Sequence, residues 1–165
     1  MKITYHNGDL FKGVEQIIVH GTNIQGRFAS GFAKSVRDRY PAAYITYMNT
    51  YYTGNLALGT INQVAQHRRL IVNAATQEFY GTDGRQYVSY DAVRSCFRAL
   101  NILVEQIQNE RIAFEGIAAN VDAVALPLIG CGLGGGAWSI ISRIIEEESV
   151  AYGPVVYLID GEIPK

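Results

Sequence analysis

Two apolar runs that do not alternate place the strongest constraint on the fold. "QIIVHG" (16–21) and "AVALPLIG" (123–130) are apolar at successive residues, the pattern of strands covered on both faces. Each passes through a glycine-containing loop into a helical repeat. The first is followed by Ala29, Phe32, Ala33, Val36 and Tyr40 at helical spacing, the second by Trp138 to Glu148. Strands buried on both faces require helices on both faces. Two such strand–loop–helix units therefore bring both loops to one edge of a largely parallel sheet, where open α/β folds bind ligands.

The rest of the chain fits around these units. Lys2 to Tyr5 alternates and reads as a first strand. Pro41 ends the first helix through its clash with Tyr40 and opens a second that carries Tyr44, Ile45, Met48 and Tyr52. Gly54 and Gly59 bracket a turn before the strands "TINQVAQ" and "RLIVNAA". A long helix is marked by Tyr90, Val93, Phe97, Leu100, Val104 and Ile107 on one face. "ERIAFEGIAANVD" reads as further helix with a bend, and "VVYLID" as a last strand. Glu146, Glu147 and Glu148 close a helix whose dipole disfavours anions there, and read as a solvated face. The expectation is one domain over residues 1–165, a three-layer α/β/α sandwich around a mixed, mostly parallel sheet.

Composition narrows the function classes. A net charge of −1 offers no bulk grip on nucleic acid or an anionic membrane. The N-terminus lacks the apolar run of a signal peptide, and no segment is long enough to span a bilayer. Cys96 and Cys131 make no disulfide framework, and His6, His20 and His67 are scattered without metal-ligand spacing. The reading is a soluble, cytoplasmic protein with neither metal nor cofactor.

"PLIGCGLGGGAW" (127–138) carries G-x-G-x-x-G spacing at Gly130, Gly132 and Gly135. Backbone N–H groups in such a loop, backed by a helix start, can hold an anion without a lysine. A plain glycine-rich connection has the same composition, and both readings stand. A Rossmann fingerprint belongs to a first strand, whereas this loop comes near the end of the chain. A Walker loop needs Gly-Lys-Ser/Thr, which is absent. Cys131 suggests a cysteine phosphatase, but the arginine that such enzymes place further along is replaced by Ala137, so Cys131 reads as filler.

Taken together, the motifs resemble the macro domains, a family that binds ADP-ribose, along essentially the whole chain. "NGDLF" resembles the segment whose aspartate reads the adenine amino group, here Asp9 beside Leu10. "IIVHGTN" resembles the strand ending in the asparagine that meets the distal ribose, here Asn23. "GRFASGFAKSVRDRYP" is similar to the family's first loop and helix, and "ALPLIGCGLGGGAW" to its phosphate loop. The resemblance is strongest to the branch holding yeast-type ADP-ribose 1″-phosphate phosphatases and glutamyl-ADP-ribose hydrolases. It implies a macro-domain sandwich. Together with position along the strands, it implies ligand contacts from Asp9, Leu10, Thr22, Arg27, Ser30, Gly31, Phe32, Gln77, Phe79, Ile129, Gly130, Cys131, Gly132, Leu133 and Gly134. Tyr80 joins Phe79 as a candidate aromatic wall.

The departures bear on catalysis. Hydrolase relatives carry a lysine and an aspartate where this chain has Gln77 and Gly134, which argues against a lysyl adduct. His20 occupies a position that yeast-type phosphatases use among their catalytic groups. On that basis His20, with Asn23, is expected to act in a metal-independent phosphatase on ADP-ribose 1″-phosphate. Alternatively His20 caps its strand, and the chain is a non-catalytic reader of free or macromolecule-linked ADP-ribose, a nucleotide-sequestering module, or a weak mono-ADP-ribosyl hydrolase. The expected partner is ADP-ribose or its 1″-phosphate, with ADP-ribosylated macromolecules as further partners.

Overall fold

A computed structural model describes residues 1–165. Six strands form one sheet: β1 (Thr4–Asn7), β2 (Ile17–Thr22), β3 (Ile61–Gln66), β4 (Arg69–Ala75), β5 (Ala123–Leu126) and β6 (Gly153–Leu158). Their order is β1-β6-β5-β2-β4-β3. Only β3, which hairpins onto β4, runs antiparallel. Helices α1 (Gly31–Arg39) and α2 (Pro41–Tyr52) cover one face, and α3 (Tyr90–Gln108) and α4 (Trp138–Glu148) the other. No helix is long and apolar enough to cross a membrane.

The alternation of side chains along a strand divides the core in two. Ile17 and Val19 of β2 join Leu70, Val72 and Ala74 of β4 and Val124 and Leu126 of β5 beneath α3 and α4. Ile18, Ile71 and Ala125 face Val36, Ala43 and Tyr47 of α1 and α2. This explains the continuous apolar runs: both parities of the central strands are buried, as a helix-covered parallel sheet requires. Helix α3 is the amphipathic element foreseen, with Val93, Phe97, Leu100 and Val104 fully buried.

Several boundaries differ from the sequence reading. Helix α1 starts at Gly31 rather than Ala29, because Ser30 is extended and Gly31 takes φ +59°. Strand β5 stops at Leu126, since Pro127 has no N–H to extend the ladder. Residues 110–122 form turns rather than helix. Glu110 (φ +56°) and Gly116 (φ +78°) leave the helical region, while Ile112, Phe114 and Ile117 still pack on the core. The glutamate triplet is not merely a solvated face. Arg94 bonds Glu147 and Glu148 at 2.7 Å each, Arg98 bonds Glu148 at 3.1 Å, and Glu146 accepts the Ile3 N–H at 2.8 Å. These contacts clamp α4 to α3 and to the β1 end.

Candidate functional site

A cleft of about 420 Å3 opens beyond the carboxyl ends of the neighbouring strands β2 and β5. Its first wall is the end of β2 with the loop into α1: Thr22, Asn23, Arg27, Ser30, Gly31 and Phe32. Its second is the chain from Pro127 to Gly134, Cys131 excepted. Thr76, Gln77, Tyr80, Gly81 and Thr82 supply a third wall. The two loops thus meet across neighbouring parallel strands, as their positions in the sequence require.

The glycine loop presents donors. Its internal bonds run from Cys131 N–H to Leu128 O and from Gly136 N–H to Gly130 O, among others. The N–H groups of Gly130, Gly132, Leu133 and Gly134 donate to nothing within the chain. Gly130 holds φ +77°, and a Cβ there would sit 2.9 Å from both Ile141 and Val88. Opposite lies the start of α1, whose N-cap Ser30 makes no side-chain cap. Gly31 approaches the Leu133 side chain, so helix start and loop face each other across the cleft. Both features concentrate partial positive charge with no lysine present.

The first loop is held from below. Phe28 is buried, packed against Tyr47, Tyr44 and His20. It anchors the loop in the α1/α2 core and leaves Arg27 exposed on the cleft wall. Asn23 is fixed from three sides. Its Oδ1 accepts the Gln25 N–H (2.9 Å) and faces the Tyr47 hydroxyl (3.0 Å), and its Nδ2 donates to Arg27 O (2.9 Å).

The third wall is tied to the glycine loop. Gly134 O accepts the N–H groups of Tyr87 (2.7 Å) and Val88 (3.0 Å), and Ser89 N–H bonds Thr76 O (2.8 Å). Gly134 is buried, and a Cβ on it would lie 2.8 Å from Gly130 O. Position 134 therefore has no room for a side chain in this loop.

Several expected site residues sit elsewhere. His20 does not reach the cleft: it is completely buried, with Nε2 2.6 Å from Asn73 Oδ1 and its ring against Phe28 and Phe32. Burial pulls its pKa down to about 4, against a smaller upward push from the Asn73 bond. It shares the side-chain parity of Ile18, so it points under α1 and α2 rather than along the strand into the crevice. Leu10 lies in that same core. Asp9 does not line the cleft. It accepts the Phe11 N–H (2.9 Å) and lies 3.8 Å from Arg39, while the Phe11 ring stacks at 5.2 Å on Phe32, a lining residue. Cys131 is half-buried behind the loop, its thiol pushed up to about 11 by burial, so it is a poor nucleophile. Of the aromatic pair, Tyr80 lines the cleft and Phe79 points outward. Sequence reasoning missed Thr76, Gly81 and Thr82. The turn-forming string "YGTDG" was the available signal, but nothing local in it says which strand ends it would fold over. No carboxylate, histidine, lysine or thiol lines the cleft.

No protein-family model matches the chain. The macrodomain of Mycobacterium tuberculosis DarG superposes with a TM-score of 0.74 at 21% identity, over 94% of this chain and 96% of that one. Thermosipho africanus DarTG in complex with ADP-ribose gives a TM-score of 0.74 at 19% identity, covering 98% of this chain and 43% of that one. The chain has the macrodomain fold. Among curated proteins, a Neosartorya fischeri ADP-ribose 1″-phosphate phosphatase is 43% identical over 47 residues, 28% of this chain. The chain aligns with only 24% of that relative's length. Within this macrodomain scaffold, the cleft has the place that a doubly covered parallel sheet reserves for ligands, at the carboxyl ends of its central strands.

Proposed function

We propose that this chain binds ADP-ribose in the cleft between β2 and β5. The observation that carries this reading is the row of unpartnered N–H groups at Gly132, Leu133 and Gly134, in a loop that lies across the cleft from the uncapped start of α1. Donors on both sides suit a diphosphate, which presents acceptor oxygens in two directions. Asn23 and Gln77 supply polar contacts for a ribose, and Tyr80 an aromatic face. The fold shared with a DarTG solved in complex with ADP-ribose supports the same choice of ligand.

The cleft favours recognition over turnover. Its lining holds no carboxylate, histidine, lysine or thiol, and His20 is sealed beneath it. Removal of phosphate from ADP-ribose 1″-phosphate is the second reading, supported by the 47-residue match to a phosphatase of that name. Any such reaction would rest on bound water oriented by the loop donors rather than on His20.

Calorimetric titration with ADP-ribose tests the first reading. Saturable one-to-one binding is the expected result, and no heat at millimolar ligand would end it. Phosphate release from ADP-ribose 1″-phosphate tests the second. Release above the rate in protein-free buffer, retained in His20→Gln, would make the chain an enzyme.

A further inference from the structure

Resting on the ADP-ribose reading, we propose that Tyr47 is a positioning residue: its buried hydroxyl sets the orientation of the Asn23 amide and so the grip on the terminal ribose. Tyr47 lies on α2, 24 residues beyond Asn23, and is fully buried. Its hydroxyl accepts the Gly26 N–H (3.2 Å) and reaches both the carbonyl oxygen (2.9 Å) and Oδ1 (3.0 Å) of Asn23. One hydroxyl therefore joins both ends of the first turn of the cleft loop to a helix of the core.

The orientation of the Asn23 amide follows from its partners. A backbone N–H, that of Gln25, can bond only to an acceptor, so the atom 2.9 Å away is the amide oxygen. The Tyr47 hydroxyl meets the same oxygen. Nδ2 is then turned to Arg27 O, and its second N–H has no partner within the chain while Asn23 lines the cleft. That hydrogen is the donor left for a ligand hydroxyl. Without the Tyr47 hydroxyl, Oδ1 and the Asn23 carbonyl oxygen lose the one proton they share, Oδ1 keeps only the Gln25 bond, and Gly26 loses its acceptor. Burial also raises the Tyr47 pKa to about 12, so the hydroxyl retains its proton throughout the working pH range.

The chemistry separates positioning from simple loss of structure. ADP shares the adenosine and diphosphate of ADP-ribose but lacks the terminal ribose. Tyr47→Phe keeps the ring that packs on Phe28 and removes the hydroxyl alone. It is expected to weaken ADP-ribose about tenfold, the scale of one lost buried hydrogen bond, while ADP affinity stays within about twofold. Added to Asn23→Ala, it should cost no further selectivity for ADP-ribose over ADP, because the amide that the hydroxyl orients is already gone. Equal loss for ADP and ADP-ribose would show a merely structural role and overturn the proposal, as would unchanged selectivity. Asn23→Asp keeps the Oδ1 acceptor and removes both Nδ2 hydrogens, the free one and the one given to Arg27 O. It should lose the same selectivity even if Tyr47→Phe folds poorly, and retained selectivity would equally overturn the proposal. The Asn23 side-chain amide signals in a 1H–15N spectrum give a readout without ligand. They should move in Tyr47→Phe toward the values of a solvent-exposed asparagine, and unmoved signals would refute the positioning role. Wild-type protein that binds neither nucleotide overturns the ADP-ribose reading instead, and those amide signals then decide the role of Tyr47 by themselves.

Discussion

His20 and Asn73 are register partners on the adjacent parallel strands β2 and β4, joined by a 2.6 Å hydrogen bond in the covered α1/α2 face of the sheet. Asn73 turns its Nδ2 to Asn62 Oδ1 (2.8 Å) and Ala43 O (3.1 Å), so its oxygen faces the histidine and Nε2 is the donor. The other ring nitrogen, Nδ1, is buried without a partner. A second proton would place an unpaired charge against Phe28 and Phe32, which is why the ring is held neutral.

This arrangement makes stability depend on pH. The folded-state pKa of about 4 lies below the ordinary value of 6.5, so acid favours the unfolded chain. The contribution is complete above pH 6.5 and is lost as pH falls toward 4. Between pH 7 and pH 5 the linkage amounts to about 2 kcal/mol. Urea denaturation at both pH values should show that loss in the wild type and a flatter response in His20→Gln. Parallel losses in the two proteins would contradict a neutral, buried His20.

The outcome for His20 shows what could be read from the chain and what could not. The apolar runs of β2 and β5 had to be doubly covered strands, and parallel strands of that kind bring their following loops together, so both cleft loops were legible. The side to which His20 points depends on strand parity and on a partner 53 residues away, which no local pattern carries. Phe28 is a similar case. Nothing in its sequence neighbourhood marks this loop residue as core, but in the fold it is the loop's buried anchor. Glu148 was misread because its arginine partners lie 50 and 54 residues before it on another helix.

Glu148 should contribute measurably to stability. Its side chain is only 14% exposed and receives Arg94 at 2.7 Å and Arg98 at 3.1 Å. Burial pushes its pKa up, but the bonds from Arg98 and Arg94 outweigh this and hold it below the usual carboxylate value. The stabilisation is thus present at neutral pH and disappears as the carboxylate protonates in acid. Glu148→Gln should cost about 1–2 kcal/mol at pH 7, the scale of charge-assisted bonds, whereas the half-exposed Glu147→Gln should cost under about 0.5 kcal/mol. Thermal melts of both variants at pH 7 check the ranking. A larger loss in Glu147→Gln would reverse it.

Gly132 and Gly134 should respond unequally to the same substitution. A Cβ on Gly132 meets nothing within 4 Å, while one on Gly134 falls 2.8 Å from Gly130 O, a backbone atom that cannot swing aside. Gly132→Ala should therefore melt within about 2 °C of the wild type, and Gly134→Ala should lose on the order of 1–2 kcal/mol. Gly134→Ala should also weaken ADP-ribose binding at least about tenfold, because the row of free N–H groups must shift to admit the methyl group. Melting curves and titrations on both proteins provide the check. Wild-type stability in Gly134→Ala would mean that the loop is not as tightly closed as its contacts imply.

Asp9 tests which end of the cleft receives the base. Its carboxylate caps the turn bearing Phe11, and the Phe11 ring lies at 9° to that of Phe32 on the cleft wall. If adenine is read at this end, Asp9→Ala should weaken ADP-ribose and ADP alike, by about tenfold, since both carry the base. Ribose 5-phosphate, which has no base, should bind the variant and the wild type equally weakly. Asp9→Asn separates capping from recognition: its Oδ1 still accepts the Phe11 N–H, so the turn should hold while the charge-assisted contact is lost. Titration of all three ligands against these two variants fixes the polarity of the cleft. Undiminished affinity for both nucleotides in Asp9→Ala would place the base elsewhere and leave the aspartate as a turn cap alone.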